Sequence, residues 1–473
     1  MLLLLLSACG ARDPRGDAGL LLGDAGLPLG DAGPLLGEAF DCGKATNVGG
    51  IASTTRAAAL ERKQVDTTRF PDALCNDGTP ALFYVRAATT PAGRDKWVIQ
   101  LMGGGACSSA ALCAKRWCSV DTNFSKTQMT SATSPDKTDG EGIFARASDG
   151  ALPAANPFED ANQVLVKYCS SDTWRGTARD VEAEAPHPVT GAATRYRIHF
   201  LGRRILEAVL ATLRREGVPA TVAGAGELPD LDQATEVVLA GASAGGGGTT
   251  FNLDWLREEL RASNPGVEVL GLIDSTFGPD LVGLDYTQGT ACIQLGLCTD
   301  AAYLGYGLQA QAGLWKAAPE QSCSARHLMD GAEWKCASDT HVVLHHLTTP
   351  FFVRQGLSDG LISDPYVEGQ LRVGGQVFTL GLFGREVAAQ LERFPTLAST
   401  AEEGGALTRA PGGFGPLCPK HETLRSTPDT FNVTIAPAAT GTPVRMFDAW
   451  TAWRQGAPGA VVVSRSASDT RCP

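Results

Sequence analysis

The sequence predicts an α/β protein: a mostly parallel sheet with helices covering both of its faces. Three observations carry that expectation. Short segments such as "KWVIQL" (Lys96–Leu101) and "EVVLA" (Glu236–Ala240) are apolar on both sides of the strand, the pattern of strands buried between two layers. Between such segments the apolar residues change to helical spacing, so strands and helices alternate. Composition is that of an ordinary globular chain, 43% hydrophobic and 19% charged over 473 residues, which allows one large core.

In chain order, Lys96–Leu101 is a buried strand that runs into Gly103-Gly104-Gly105, and Gln163–Tyr168 ("QVLVKY") is a second. Ile198, Leu201, Ile205, Leu206, Val209, Leu210 and Leu213 recur at helical spacing and predict a long helix packed on the sheet. Glu236–Ala240 is the next strand, followed by an amphipathic helix over Thr249–Leu260. Val267–Ile273 and Pro350–Arg354 supply two more strands. Residues 288–340 carry cysteines and little periodicity, and read as a helical insertion or cap. The organisation is therefore a short leader over 1–9, a linker over 10–41 and one catalytic domain over 42–473.

The leader "MLLLLLSACG" contains Leu6-Ser7-Ala8-Cys9, which looks like the lipid-attachment box of a bacterial lipoprotein. Its apolar run is short, and no Lys or Arg precedes it. From Gly16 to Leu36 a seven-residue repeat ("GDAGLLL", "GDAGLPL", "GDAGPLL") is too rich in Gly and Pro for a coiled coil and reads as a tether. Both features point to a cell-envelope or extracellular protein that meets the membrane only through lipid on Cys9. With that cysteine lipidated, 12 of the 13 remain, enough for up to six disulfides, with Cys323–Cys336 the preferred local pair. Cys107, Cys113 and Cys118 lack the spacing of a zinc site. A net charge of −11 argues against nucleic acid or an anionic membrane surface as partner.

The most specific chemistry lies in Gly241-Ala242-Ser243-Ala244-Gly245, a G-x-S-x-G sequence between a strand and a helix. Among 55 glycines such a motif can be a mere flexible turn. Its strand–turn–helix context instead suits a serine held on a sharp, strained turn beside the free N–H groups of a helix start. Glycines 245–248 would be unfavourable at a helix start by up to about 1 kcal/mol each, unless close packing on the sheet requires them. A nucleophilic serine needs a base, an orienting acid and an oxyanion hole. Asp359 fits the acid, in the loop "LSDGLIS" after a strand. His421 fits the base, since it alone of the seven histidines follows Asp359. Asp364 is the nearest alternative acid, and the proline after it suggests a turn. His341, His345 and His346 are the rival bases, read as surface or packing residues because no H-E-x-x-H pattern is present. The run Gly103-Gly104-Gly105 can offer backbone N–H groups to an oxyanion, as can Ala244 after the nucleophile. No G-K-[ST] follows the glycines, so a phosphate cradle is not indicated.

Six blocks occur in one order: "CNDGTPALFYV", "LMGGGAC", "YCSSDTWRG", "LAGASAGGGGTTFNLD", "VRQGLSD" and "LCPKHE". Together, over about Cys75 to His421, the chain resembles the Notum and pectin acetylesterase family, nearer the Notum carboxylesterase branch. The resemblance implies an α/β-hydrolase fold and metal-free, cofactor-free ester hydrolysis by Ser243, His421 and Asp359. It also implies an oxyanion hole at Gly104, Gly105 and Ala244. Two positions depart from the family: Ala106 stands where a bulky aromatic is usual, and Met102 replaces an acidic residue, both expected at the mouth of the site. Ser170, Ser171 and Asp172 read as scaffold, because no elbow surrounds them. The expected activity is that of a monomeric serine carboxylesterase acting on acetyl or longer acyl esters. A silent glycan-binding lipoprotein and a serine peptidase are the alternatives.

Overall fold

The computed structural model describes residues 33–42, 50–56, 59–120, 125–150, 152, 155–214, 228–280, 284–285, 314–368, 372–397, 407–437 and 440–473. Cys9 and most of the heptad repeat lie outside these residues, as does the 286–313 part of the expected insertion. Residues 33–41, read as the end of the 10–41 linker, pack on the domain. Leu36 and Phe40 are buried, and Leu35 bridges to Arg197.

A ten-stranded sheet forms the centre. From one edge its order is Val461–Val463, Gly412–Gly415, Phe351–Arg354, Glu268–Asp274, Glu236–Ala242, Lys96–Leu101, Asn162–Val166, Leu82–Arg86, Leu60–Gln64 and Lys137–Thr138. The strands from Val461–Val463 through Asn162–Val166 are joined by parallel ladders, and the other edge is antiparallel. The parallel strands are buried almost throughout, which explains why they read as continuous apolar runs. Helices Gly202–Leu213, Ala244–Ser263, Leu380–Leu397 and Met446–Arg454 flank the sheet. This is the α/β-hydrolase fold.

One expected element is corrected. The helix expected to include Ile198 starts at Gly202, and Ile198 belongs to the strand Ala193–Phe200, which forms a hairpin with Ala178–Pro186. Tyr196, Ile198 and Phe200 are buried at a period of two, and that alternation decided the conformation.

Register brings the site together. Leu101 pairs with Gly241, while Asp274 pairs with both Ala242 and Arg354. The carboxyl ends of four adjacent strands are thus level, and the loops leaving them share one edge, where open α/β sheets bind ligands.

Five disulfides join described residues: Cys42–Cys118, Cys75–Cys169, Cys107–Cys113, Cys323–Cys336 and Cys418–Cys472. The expected local pair is among them. Such a framework fits an oxidising, extracytoplasmic compartment. No helix among the described residues is long and apolar enough to cross a membrane.

Candidate active site

Ser243 stands between the end of the Glu236–Ala242 strand and the helix Ala244–Ser263, with φ 55° and ψ −125°. A positive φ is unfavourable for a residue bearing a Cβ and persists only where the surroundings enforce it. Here the Ser243 N–H donates to the Asp274 carbonyl at 2.9 Å, and its own carbonyl accepts the Gly247 N–H at 3.0 Å. The glycine run is explained by crowding. A Cβ at Gly245 would lie 2.0 Å from the Leu101 carbonyl oxygen, and one at Gly248 would lie 2.4 Å from the Trp174 ring. Helix and sheet meet backbone to backbone, which places Ser243, half-buried, at the crest of the turn.

Asp359 follows the Phe351–Arg354 strand and is fully buried. Its Oδ2 lies 2.8 Å from His421 Nδ1, its Oδ1 accepts the Leu361 N–H at 3.1 Å, and the Gln355 amide donates to Oδ2 at 3.4 Å. His421 is half-buried. Burial is the largest influence on its pKa and lowers it. The hydrogen bond and charge of Asp359, with Glu422 and Asp274 behind them, outweigh burial and hold it above the ordinary 6.5.

The serine and histidine loops are fastened to the same short segment. Asp274 holds the Ser243 N–H, Ser275 Oγ donates to the His421 carbonyl, and Thr423 donates from both N–H and hydroxyl to Asp274 Oδ2 at 3.0 Å. Buried Arg354 completes the fastening. Its Nη1 donates to Asp274 Oδ1 at 3.1 Å, Ser275 Oγ at 3.0 Å, and the Lys420 and His421 carbonyls at 3.0 and 3.1 Å. The sequence reading passed over Asp274, Ser275 and Arg354. An arginine ending an otherwise apolar strand was the available signal.

Gly104 and Gly105 have φ 139° and 62°, conformations open to glycine. The Gly104 carbonyl accepts from Nη2 of buried Arg116 at 2.5 Å. A trans peptide sets C=O and N–H on opposite sides, so the Gly105 N–H points away from Arg116. Burial pulls Arg116 down to about 10, which leaves it a cation at neutral pH. Ala244, the third expected oxyanion residue, opens the helix and is buried. Glu422 lies against this loop, its Oε1 only 2.0 Å from where a Cβ on Gly103 would be.

Of the two family departures, Ala106 is exposed, whereas Met102 is buried and does not line a mouth. Its carbonyl accepts the Trp174 indole N–H at 3.0 Å, and its own N–H donates to Val166 at 3.2 Å. The block 168–174 is scaffold. Asp172 accepts from the Ser170 hydroxyl and the Trp174 and Gly202 N–H groups, and Ser171 donates to Asn76. Tyr168 and Trp174 press on Gly104 and Gly248 respectively, so one turn supports both the glycine loop and the elbow helix.

The rivals are placed elsewhere. Asp364 is exposed on the helix Gly360–Glu368 rather than in a turn. His341 and His346 are buried, and His345 pairs with Asp280 at 3.3 Å. Burial, with positive neighbours, presses His341 down to about 3, too weak for a general base. Cys107, Cys113 and Cys118 are all in disulfides.

Comparison with known proteins places the chain in a family. The family profile described as Pectinacetylesterase matches residues 54–362. Palmitoleoyl-protein carboxylesterase notum2 of Xenopus laevis is 28% identical over 69% of this chain and 58% of its own length. Palmitoleoyl-protein carboxylesterase NOTUM of Homo sapiens is 27% identical over 74% of this chain and 59% of its own. The chain thus spans less than two thirds of these relatives. The crystal structure of the Wnt deacylase Notum from Drosophila has the same fold, with a TM-score of 0.59 and 23% identity over 88% of this chain and all of that one.

Proposed function

The chain belongs to the pectinacetylesterase family, and from that membership we propose that it is a serine carboxylesterase using Ser243, His421 and Asp359. The observation that carries this reading is the Asp359–His421 contact of 2.8 Å, on a loop tied to the same Asp274–Ser275 segment that holds the Ser243 N–H. Ser243 Oγ attacks the ester carbonyl while His421 takes its proton, and Asp359 steadies the imidazolium that forms. The developing oxyanion meets the N–H groups of Gly104, Gly105 and Ala244. His421 then protonates the leaving alcohol, and water, activated by the same histidine, releases the acid from Ser243.

The substrates proposed are O-acyl esters, from acetyl groups on polysaccharide to longer chains on protein or lipid. A panel of p-nitrophenyl esters of increasing chain length, with acetylated pectin and xylan alongside, assigns the acyl class. A Ser243→Ala enzyme that is folded by circular dichroism yet keeps wild-type turnover would sink the proposal. Anchoring through lipid on Cys9 belongs to the same reading and rests on Leu6-Ser7-Ala8-Cys9. Labelled palmitate should enter the membrane fraction with wild type and not with Cys9→Ser. Equal solubility without label in both removes the anchor.

A further inference from the structure

Four of the seven histidines lie together, outside the ester site. His327 ends the helix Gln321–His327, His341 and His345 lie on the helix Asp339–His345, and His346 caps it. Three of these rings form a nearly equilateral triangle, with centroids 5.1 Å (His327–His341), 5.5 Å (His327–His346) and 5.2 Å (His341–His346) apart. Imidazoles bound to one tetrahedral ion at ordinary Zn–N lengths place their centroids roughly 5 Å apart. The Nε2 atoms of His327 and His341 are 3.0 Å apart, close to the separation of two donors on one ion. One ligand atom from each of the three histidines falls within 4.8 Å of the others.

The groups behind the rings set the tautomers that a metal requires. His327 Nδ1 faces the Asp330 carboxylate at 3.1 Å, so Nδ1 carries the proton and Nε2 a lone pair. The Ser322 hydroxyl donates to Glu320 at 2.8 Å and so accepts from His346 Nδ1 at 3.3 Å, which leaves a lone pair on that Nε2 as well. Carboxylate or hydroxyl support behind a coordinating imidazole is the usual outer arrangement of a protein metal site. Cys323 lies in the same cluster, but its bond to Cys336 withholds the thiolate.

We propose that His327, His341 and His346 form a structural site for a zinc-class divalent cation that ties the helix Gln321–His327 to Asp339–His345. On binding, the proton that His341 Nε2 shares with His327 shifts to His341 Nδ1, which frees both Nε2 lone pairs for the ion and changes no oxidation state. The tied helix reaches the elbow, since Asp339 Oδ1 lies 2.8 Å from where a Cβ on Gly247 would be. The ion therefore braces the insertion against the catalytic helix and takes no part in the chemistry.

The test uses the untagged full chain, stripped with chelator and desalted. Titration with Zn2+ should give one ion per chain and raise Tm by several degrees. Co2+, held by the three imidazoles with a water as fourth donor, should give the intense visible absorption of four-coordinate sites, and turnover of a short ester should be the same with and without Zn2+ at 25 °C. His327→Gln and His341→Gln should each lose stoichiometric binding, while His187→Gln on the hairpin keeps it. Absence of stoichiometric Zn2+ binding to folded wild type at micromolar metal overturns the proposal, whatever the variants do. So does binding that survives unchanged in both cluster variants.

Discussion

Asp172 and Asp359 occupy matching places at the carboxyl edge of the sheet, each a few residues beyond a parallel strand and each with no exposed surface. Their surroundings differ. Asp172 is ringed by donors that do not titrate: the Ser170 hydroxyl and the Trp174 and Gly202 N–H groups. Asp359 has two non-titrating donors of its own, the Leu361 N–H and the Gln355 amide, but its Oδ2 also meets His421. Burial pushes Asp172 up to about 6, yet Asp172 is the one that braces a turn. A buried, perturbed carboxyl is only a candidate for chemistry. What distinguishes Asp359 is a partner able to gain and lose a proton, on a loop tied to the segment that holds the elbow serine.

The strongest test of that contrast removes the partner or the nucleophile. Ser243→Ala and His421→Ala should each lower kcat on short esters by roughly 10³-fold or more, and the double variant hardly further, because members of one catalytic unit are not additive. Asp359→Asn should cost at least about 10²-fold, since it disturbs the imidazole's tautomer and orientation.

The pH profile sharpens the comparison. As the proposed base His421 would act only when neutral, and its pKa is held above 6.5, so kcat/KM should fall as pH drops through a midpoint above that value. In Asp359→Asn the largest raising influence is gone while burial remains, so the midpoint should move down. A midpoint that does not move would separate Asp359 from the base.

Asp172→Asn should act on the fold instead. Turning an NH₂ toward buried donors should cost about 1–3 kcal/mol in denaturant unfolding, with turnover of the folded enzyme within about tenfold of wild type. Abolished turnover at unchanged stability would erase the distinction between the two aspartates. Gly248→Ala, which sets a methyl against the Trp174 ring, should be of similar or smaller size, about 1–3 kcal/mol, and should appear as a lower Tm.

How much of this was legible in the sequence follows from how local each feature is. The elbow was readable because five consecutive residues must satisfy it, and the glycines after it record close packing. His421 was readable because a histidine is scarce there, and Cys323–Cys336 because its partners are 13 residues apart. The fastening of His421 was not readable. Arg354 meets Asp274 across 80 residues, and Ser275 meets His421 across 146, contacts that only the sheet register creates. Ile198 was misread because one residue can satisfy both helical and strand spacing. Met102 was misjudged because a resemblance locates a residue along the chain without saying which way it faces.

The bond between Cys418 and Cys472 spans 54 residues and closes three positions before His421. On the proposed triad, this gives the enzyme a schedule. A nascent chain can build the elbow and the acid loop early, but the base loop receives its covalent brace only when residue 472 has been synthesised and an oxidant is at hand. Full activity is then expected to emerge only after this oxidation, so that the last step in assembling the site is a redox step rather than a folding step.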